Sequence, residues 1–343
     1  MAELAGFQKR GCAVWLIAPR ESMIFQRAEK IGIPTVAIEF KKISYPRDIL
    51  RLAKWLKRER IEVVNPHSSR DGWVLGCAAR LAKTPFIIRT RHIDVDYPNK
   101  FTSSIVFTKL ADHVLTTSDK ITAHFQKIFQ LPDDRITTLA TGIDLEKFSP
   151  DGSRAELPGA ISGVPTVGMV SVLRSWKGHS TFLEAAAKLK ADGFKARFVI
   201  VGEGPSGDRI KARCAELKLE DIVTFAGHRE DVPAVLRALD VLCIPSTKHE
   251  GVPQIGLQAL ACKTAVVGSD VGGIPEIIRP GETGRIFPAN DSVAMAAAIR
   301  AALAEAEITR EMKERGRAFV EKNSSIDRML DVLEALYARH IPA

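Results

Sequence analysis

Apolar and polar positions alternate along this chain in two rhythms. Runs of four or five apolar residues read as strands buried on both faces, and stretches with apolar residues every three or four positions read as helices. The opening residues predict an amphipathic helix closed by Gly11, followed by a strand over 13–17 and a stop at Ala18-Pro19. Helices are then expected over 23–31, 48–59, 72–82, 103–110 and 120–129, with strands over 35–40, 61–64, 86–89, 113–117 and 136–139. Residues 151–165 carry Gly, Ser and Pro at helix-breaking density and predict a linker. The rhythm resumes with strands over 166–170, 197–201, 222–225 and 241–244, helices from 180 and over 208–217, and a last helix over 326–339. Strands alternating with helices predict doubly wound parallel sheets, covered on both faces. The expected organisation is a first domain over 1–150, a second over 151–322, and a terminal helical segment over 323–343.

Residues 248–276 hold the densest chemistry. Glu250-Gly251-Val252-Pro253 leads into apolar positions 255, 257, 259, 260 and 261 at helical spacing, then a β-rich run at 265–267 and the pair Gly272-Gly273. Proline is tolerated early in a helix, where its missing N–H would be unpaired anyway. Free backbone N–H groups at a helix start, with glycine alongside, suit phosphate. Glu250 would then stand beside whatever the phosphate carries, and a nucleotide-sugar presents hydroxyls there. The plainer reading of Glu250 is an acid answering the helix dipole. Upstream, Arg174 and Lys177 bracket another helix start, one a two-pronged donor and the other a point charge, which fits a diphosphate. The plainer reading is two exposed loop cations. Gly202 and Gly204 directly follow a strand, where backbone can approach a ligand closely.

Ligands of doubly wound sheets bind at the C-terminal ends of strands. That places His67, Ser68 and Ser69 after one strand and Arg91 and His92 after the next. Asp94-Val95-Asp96 has the spacing of a metal-holding acid pair, a pattern common by chance. The helix beginning at Pro46 is expected to turn Ile49, Leu50, Ala53 and Leu56 inward, leaving Arg51, Lys54, Lys57 and Arg58 outward with Trp55 to one side. This is either a solvated basic face or a membrane-surface face.

With 343 residues, 45% hydrophobic and 26% charged, the chain is sized for two globular domains and has no membrane-length apolar run. Its opening places charge after a short apolar face, unlike a secretory signal. Five scattered cysteines without a Cys-x-x-Cys pair suggest thiols in a reducing compartment. The net charge of +8 lies wholly in residues 1–150, with 24 Lys and Arg against 16 Asp and Glu; the remainder has 25 of each. No basic stretch interleaved with aromatics is present, so nucleic acid is not the expected partner. Anionic lipid or an anionic glycolipid fits the basic half.

Glu250-Gly251-Val252-Pro253, Lys177-Gly178 and the glycine turn at 268–276 together resemble the donor-site signature of the retaining glycosyltransferases of family 4, which have the GT-B fold of two Rossmann-like domains. The resemblance runs through nearly the whole chain, including Thr141-Gly142-Ile143-Asp144 ahead of Phe148. It implies a nucleotide-sugar donor held by the second domain, a glycan or lipid-linked acceptor served by the first, and retained anomeric configuration. Neither cofactor nor metal is implied. His92 and Glu250 would be catalytic, positioning the sugar. Arg174, Lys177, Gly251, Val252 and Pro253 would bind the diphosphate. Gly202, Gly204, His228, Arg229 and Gln258 would bind the nucleotide, and His67, Ser68 and Arg91 would face the acceptor. The last helix would pack back toward the first domain.

This chain departs from the family pattern at several points. Gln258 stands where a second Glu usually binds ribose, which implies an uncharged and weaker contact. Val172 stands at the usual Arg position, with Arg174 as the nearby substitute. Relatives begin with a central strand and a Gly-Gly loop, whereas this sequence starts within the following helix; that absence is expected to leave strand edges unpaired. The resemblance implies hexosyl transfer in envelope polysaccharide or lipopolysaccharide synthesis, in the cytoplasm or peripherally at the inner face of its membrane. Alternatives are a non-catalytic nucleotide-sugar-binding or scaffold subunit and a GT-B sugar-nucleotide epimerase.

Overall fold

The computed structural model describes residues 1–92 and 100–341. The acid pair at 94 and 96 lies outside them. The chain forms two α/β units, Met1–Gly142 with Ile326–Ala343, and Ile143–Ser325.

The first unit runs α1 (Ala2–Lys9), β1 (Leu16–Ala18), α2 (Met23–Lys30), β2 (Thr35–Ala37), α3 (Tyr45–Arg58), β3 (Val63–Val64) and α4 (Ser69–Ala82). It continues with β4 (Phe86–Arg91), α5 (Lys100–Ser104), a π-helical stretch Ile105–Lys109, β5 (His113–Thr116), α6 (Asp119–Phe129) and β6 (Ile136–Thr138). All its strand pairs are parallel. β1 and β2 form a two-stranded sheet, registered Leu16 to Thr35, and β3-β4-β5-β6 form another. Among the described residues no pairing joins β1 to β3, so this half lacks the continuous sheet of a complete doubly wound domain.

Side chains bridge the two sheets. Leu52 and Leu56 of α3, Val74 and Leu75 of α4, and Ile87 of β4 share one core with Ile38 and Phe40. Each such burial is worth about 1.5–3 kcal/mol. The α3 face differs from expectation by its phase: Leu52, Ala53 and Leu56 are buried, whereas Leu50 is exposed. Ser68 and Asp71 close a reciprocal capping box at the start of α4.

The chain continues in the second unit with β7 (Thr166–Val170), α7 (His179–Ala191), β8 (Arg197–Val201), α8 (Gly207–Glu216), β9 (Val223–Gly227), α9 (Val232–Ala238) and β10 (Val241–Ile244). It ends with α10 (Gln254–Ala261), β11 (Ala265–Ser269), α11 (Ile274–Ile277), β12 (Arg285–Phe287), α12 (Ser292–Ala304) and α13 (Ala306–Asn323). The sheet order is β12-β11-β10-β7-β8-β9, parallel throughout. The first strand in sequence is central, and strand order reverses between β7 and β10. That reversal opens a crevice at their C-terminal ends.

The last helix, α14 (Ile326–Ala338), belongs to the first unit. Met329, Leu330 and Leu333 pack with Phe7 of α1 and Phe86 of β4. A Cβ at Gly6 would stand 2.5 Å from Leu330 Cδ1, so glycine lets α1 and α14 approach.

The units divide after Gly142 and Ser325, not after 150 and 322. The reason is local: Ile143 bridges to Ser325, and Arg317 Nη1 donates to the Phe148 carbonyl at 2.8 Å. Nor is 151–165 a free linker. Ala155 N–H bonds to Ala234 O at 3.0 Å, and the Thr224 hydroxyl donates to Pro158 O at 2.6 Å.

Candidate active site

Two loops meet where β7 and β10 end. After β7 comes a single 3-10 turn, Ser175–Lys177, then Gly178 with φ +77° before α7. After β10 come Pro245, Ser246 and the approach to α10. A Cβ on Gly178 would stand 1.7 Å from the Pro245 carbonyl oxygen. Thr247 N–H donates to Trp176 O at 2.8 Å. The loops are therefore clipped backbone to backbone, and glycine is required at the crossing.

They enclose a cavity of about 360 Å³. Its wall includes Ser171 and Val172 after β7, Ser246 after β10, Lys177, Glu250 and residues 253–255. Lys177 Nζ lies 2.8 and 2.9 Å from the two Glu250 carboxylate oxygens. Glu250 is 7% exposed. Its backbone is seated by the glycine pair: Gly273 N–H points to Glu250 O at 3.3 Å, and Gly272, at φ +59°, would with a Cβ stand 1.9 Å from that oxygen. α10 begins at Gln254, after Pro253 and without a side-chain cap, with residues 254 and 255 at the cavity wall. A cation, a carboxylate and a helix N-terminus thus converge on one hollow. His179, at the start of α7 and 3% exposed, meets Ser171 Oγ at 3.2 Å through Nε2; burial holds its pKa down to about 4, so it is neutral near pH 7.

Of the residues expected at the donor site, Lys177, Glu250 and Pro253 line this hollow, and others stand elsewhere. Arg174 is not on the cavity wall; its guanidinium lies over the Trp176 ring at 5.2 Å, and the neighbouring Val172 lines the hollow instead. Gly251 and Val252 lie in the approach to α10 but not on the wall. Gly202 and Gly204 serve close packing against another loop: a Cβ would stand 1.9 Å from Ser171 O and 2.6 Å from Leu173 O respectively. Arg229 is paired with Asp231 at 2.8 and 2.6 Å, and His228 N–H points to Glu203 Oε1 at 3.4 Å. Gln258 lies half-buried one turn into α10. Sequence reasoning missed Ser246, whose buried hydroxyl has no hydrogen-bond partner among the described residues. Its position just past a central strand was the available signal.

In the first unit, His67 Nδ1 and His92 Nε2 are 2.9 Å apart at the ends of β3 and β4, with the rings nearly parallel at 9°. His67 keeps exposed surface, and desolvation by the surrounding protein, then the neighbouring His92 and Arg89, lowers its pKa to about 3. His92 is lowered too, by burial first and then by Arg91. Asp71 orders this edge: it accepts from the backbone of His67 and Ser68, and its carboxylate lies 3.1 Å from the buried Arg89. Ser68 Oγ accepts from Asp71 N–H, so it is occupied as a helix cap, and Arg91 is buried.

Among the described residues no group of three or more His, Cys, Asp or Glu is placed to hold a metal ion, and no helix is long and apolar enough to cross a membrane. The Glycosyltransferase Family 4 model matches residues 2–147, and the Glycosyl transferases group 1 model matches residues 158–319. The chain is 27% identical over 274 residues to an Escherichia coli UDP-Gal:alpha-D-GlcNAc-diphosphoundecaprenol alpha-1,3-galactosyltransferase, covering 76% of this chain and 70% of that protein. It is 30% identical over 234 residues to the lipopolysaccharide core biosynthesis mannosyltransferase LpcC of Rhizobium leguminosarum bv. viciae, covering 66% of this chain and 64% of that protein. A crystal structure of a glycosyltransferase from Rickettsia africae ESF-5 matches with a TM-score of 0.88 at 20% identity, over 98% of this chain and 93% of that one. With family models on both units and the parallel two-unit architecture, the chain belongs to the glycosyltransferases of family 4 (group 1) and has the GT-B fold.

Proposed function

We propose that this protein transfers a hexose from a nucleoside-diphosphate sugar to a glycan or lipid-linked acceptor of the cell envelope, retaining anomeric configuration and using no metal. The observation that carries the reading is the Lys177–Glu250 pair within the hollow at the β7–β10 switch point. Lys177 would take charge developing on the departing diphosphate, assisted by the uncapped start of α10. Glu250 would accept a hydrogen bond from a hydroxyl of the sugar. Gln258 would contact the nucleoside without charge. Arg174, displaced onto Trp176, would contribute at most a longer-range field. In the first unit, His67 and His92, whose pKa values are lowered, would serve an acceptor as hydrogen-bonding groups. The two relatives named above are a galactosyl- and a mannosyltransferase of envelope glycolipids, which supports the hexose and acceptor classes.

The test incubates the full chain with a panel of UDP-, GDP- and ADP-hexoses and lipid-diphosphate acceptors, with and without EDTA, and reads product anomers by NMR. Retained configuration, unaffected by EDTA, is expected. Inversion, or turnover abolished by EDTA and restored by a divalent ion, would remove the mechanism; no consumption of any nucleotide-sugar would remove the function.

A peripheral contact with anionic membrane accompanies the reading. Ile43 and Leu50 are exposed beside the outward Arg47, Arg51, Lys54 and Lys57 of α3. Trp55, half-buried, packs edge-on against Trp15 at 5.8 Å. Binding to anionic but not neutral liposomes is the expected result, and equal recovery in both would count against an electrostatic contact.

A further inference from the structure

The cation of the donor hollow already has an anion. Both Glu250 oxygens lie within hydrogen-bond distance of Lys177 Nζ, and their side chains are 8% and 24% exposed. An ammonium has three donors, so two are committed. The backbones beneath the pair are fixed from both sides: the Lys177 turn by the Gly178–Pro245 crossing and the Thr247–Trp176 hydrogen bond, and Glu250 by Gly272 and Gly273. A ligand therefore separates the pair by moving side chains, not loops.

We infer that Glu250 is the resident anion of this site, exchanged for the donor's diphosphate on Lys177 and thereby released to the sugar. The role given to the sugar rests on the function proposed above; the exchange on Lys177 does not. A bare diphosphate takes the ammonium but leaves a desolvated carboxylate without a partner. A complete donor supplies both an anion for Lys177 and a hydroxyl for Glu250. The site consequently discriminates between nucleotide-sugar and the nucleoside diphosphate left after transfer. Once the sugar departs, Glu250 loses its partner, returns to Lys177 and favours release of the diphosphate.

Pyrophosphate is the probe, since it carries neither base nor sugar. Calorimetric titration compares wild type, Glu250→Gln, Lys177→Met and the double variant, each first shown to unfold cooperatively in urea. Glu250→Gln keeps the shape of the side chain, and Lys177→Met keeps its apolar stem. Glu250→Gln is expected to tighten pyrophosphate binding about tenfold, the scale of one charge-assisted hydrogen bond. Lys177→Met weakens it about tenfold or more, and in that background the gain from Glu250→Gln shrinks to less than about twofold. Equal or weaker binding by Glu250→Gln overturns the exchange. So does a gain that persists undiminished without Lys177, which would reflect simple repulsion between anions. Nucleotide-sugar turnover with no gain in Glu250→Gln sinks the exchange and leaves the function standing; the reverse pattern does the opposite.

Discussion

Replacing Gly178 by alanine should unseat the donor hollow. Gly178 has φ +77°, where an L side chain is disfavoured by about 1–2 kcal/mol. The added Cβ would stand 1.7 Å from the Pro245 carbonyl oxygen and 2.6 Å from its carbon. Both are main-chain atoms, so no rotamer change relieves the clash and the loops must part by more than an ångström. Parting them loses the Thr247–Trp176 hydrogen bond, worth about 1 kcal/mol. The expected loss is about 3 kcal/mol or more. Gly193, just beyond the other end of α7, is the control: its φ is +69°, but a Cβ there meets nothing within 4 Å. Gly193→Ala therefore carries the backbone term alone, about 1–2 kcal/mol. Urea unfolding of both variants, followed by intrinsic fluorescence, isolates the contact as the difference. Pyrophosphate binding should weaken in Gly178→Ala and persist in Gly193→Ala. Equal destabilisation, or unchanged anion affinity in Gly178→Ala, would refute the clipped-loop account.

Buried His113 and His179 are both held to a pKa of about 4, chiefly by burial, below an ordinary value of 6.5. The unfolded chain binds these protons first, so their contribution is fully present above pH 6.5 and is lost as pH falls toward 4, by about 3 kcal/mol each; His179→Gln should flatten that part of the urea-midpoint profile, and an unchanged slope would refute it. Lys177→Ala should lower turnover about tenfold or more, whereas Arg174→Ala should lower it less than about threefold, since only the former lines the cavity; steady-state kinetics decides the order. Gln258→Glu should tighten nucleotide-sugar binding by about threefold to tenfold if that residue meets the ribose, as a charged acceptor outperforms an amide; unchanged affinity would place the nucleoside elsewhere.

The positions of the strands were legible because strands buried on both faces need unbroken apolar runs, and Phe198, Val199, Ile200 and Val201 form one. The phase of α3 was not, because Leu50 and Leu52 both suit a helical stripe and only the packed neighbours choose between them. Lys177 and Glu250 were legible from motif and position. The direction of side chains leaving β7 was not: one residue separates Val172 from Arg174, yet the first faces the hollow and the second lies over Trp176. The need for glycine at 202 and 204 was readable, but not that Ser171 and Leu173 of another loop approach them. The domain edges were blurred by composition, since Gly, Ser and Pro at 151–165 mark irregular backbone whether or not it is anchored.

The isolated β1–β2 pair has a consequence for motion. Among the described residues, three registered pairs and no shared ladder with β3 leave this corner attached through side chains and its flanking segments. Short ladders with few neighbours open more readily than the global fold. In deuterated buffer the amides of 16–18 and 35–37 should therefore exchange well ahead of those in β7 and β8.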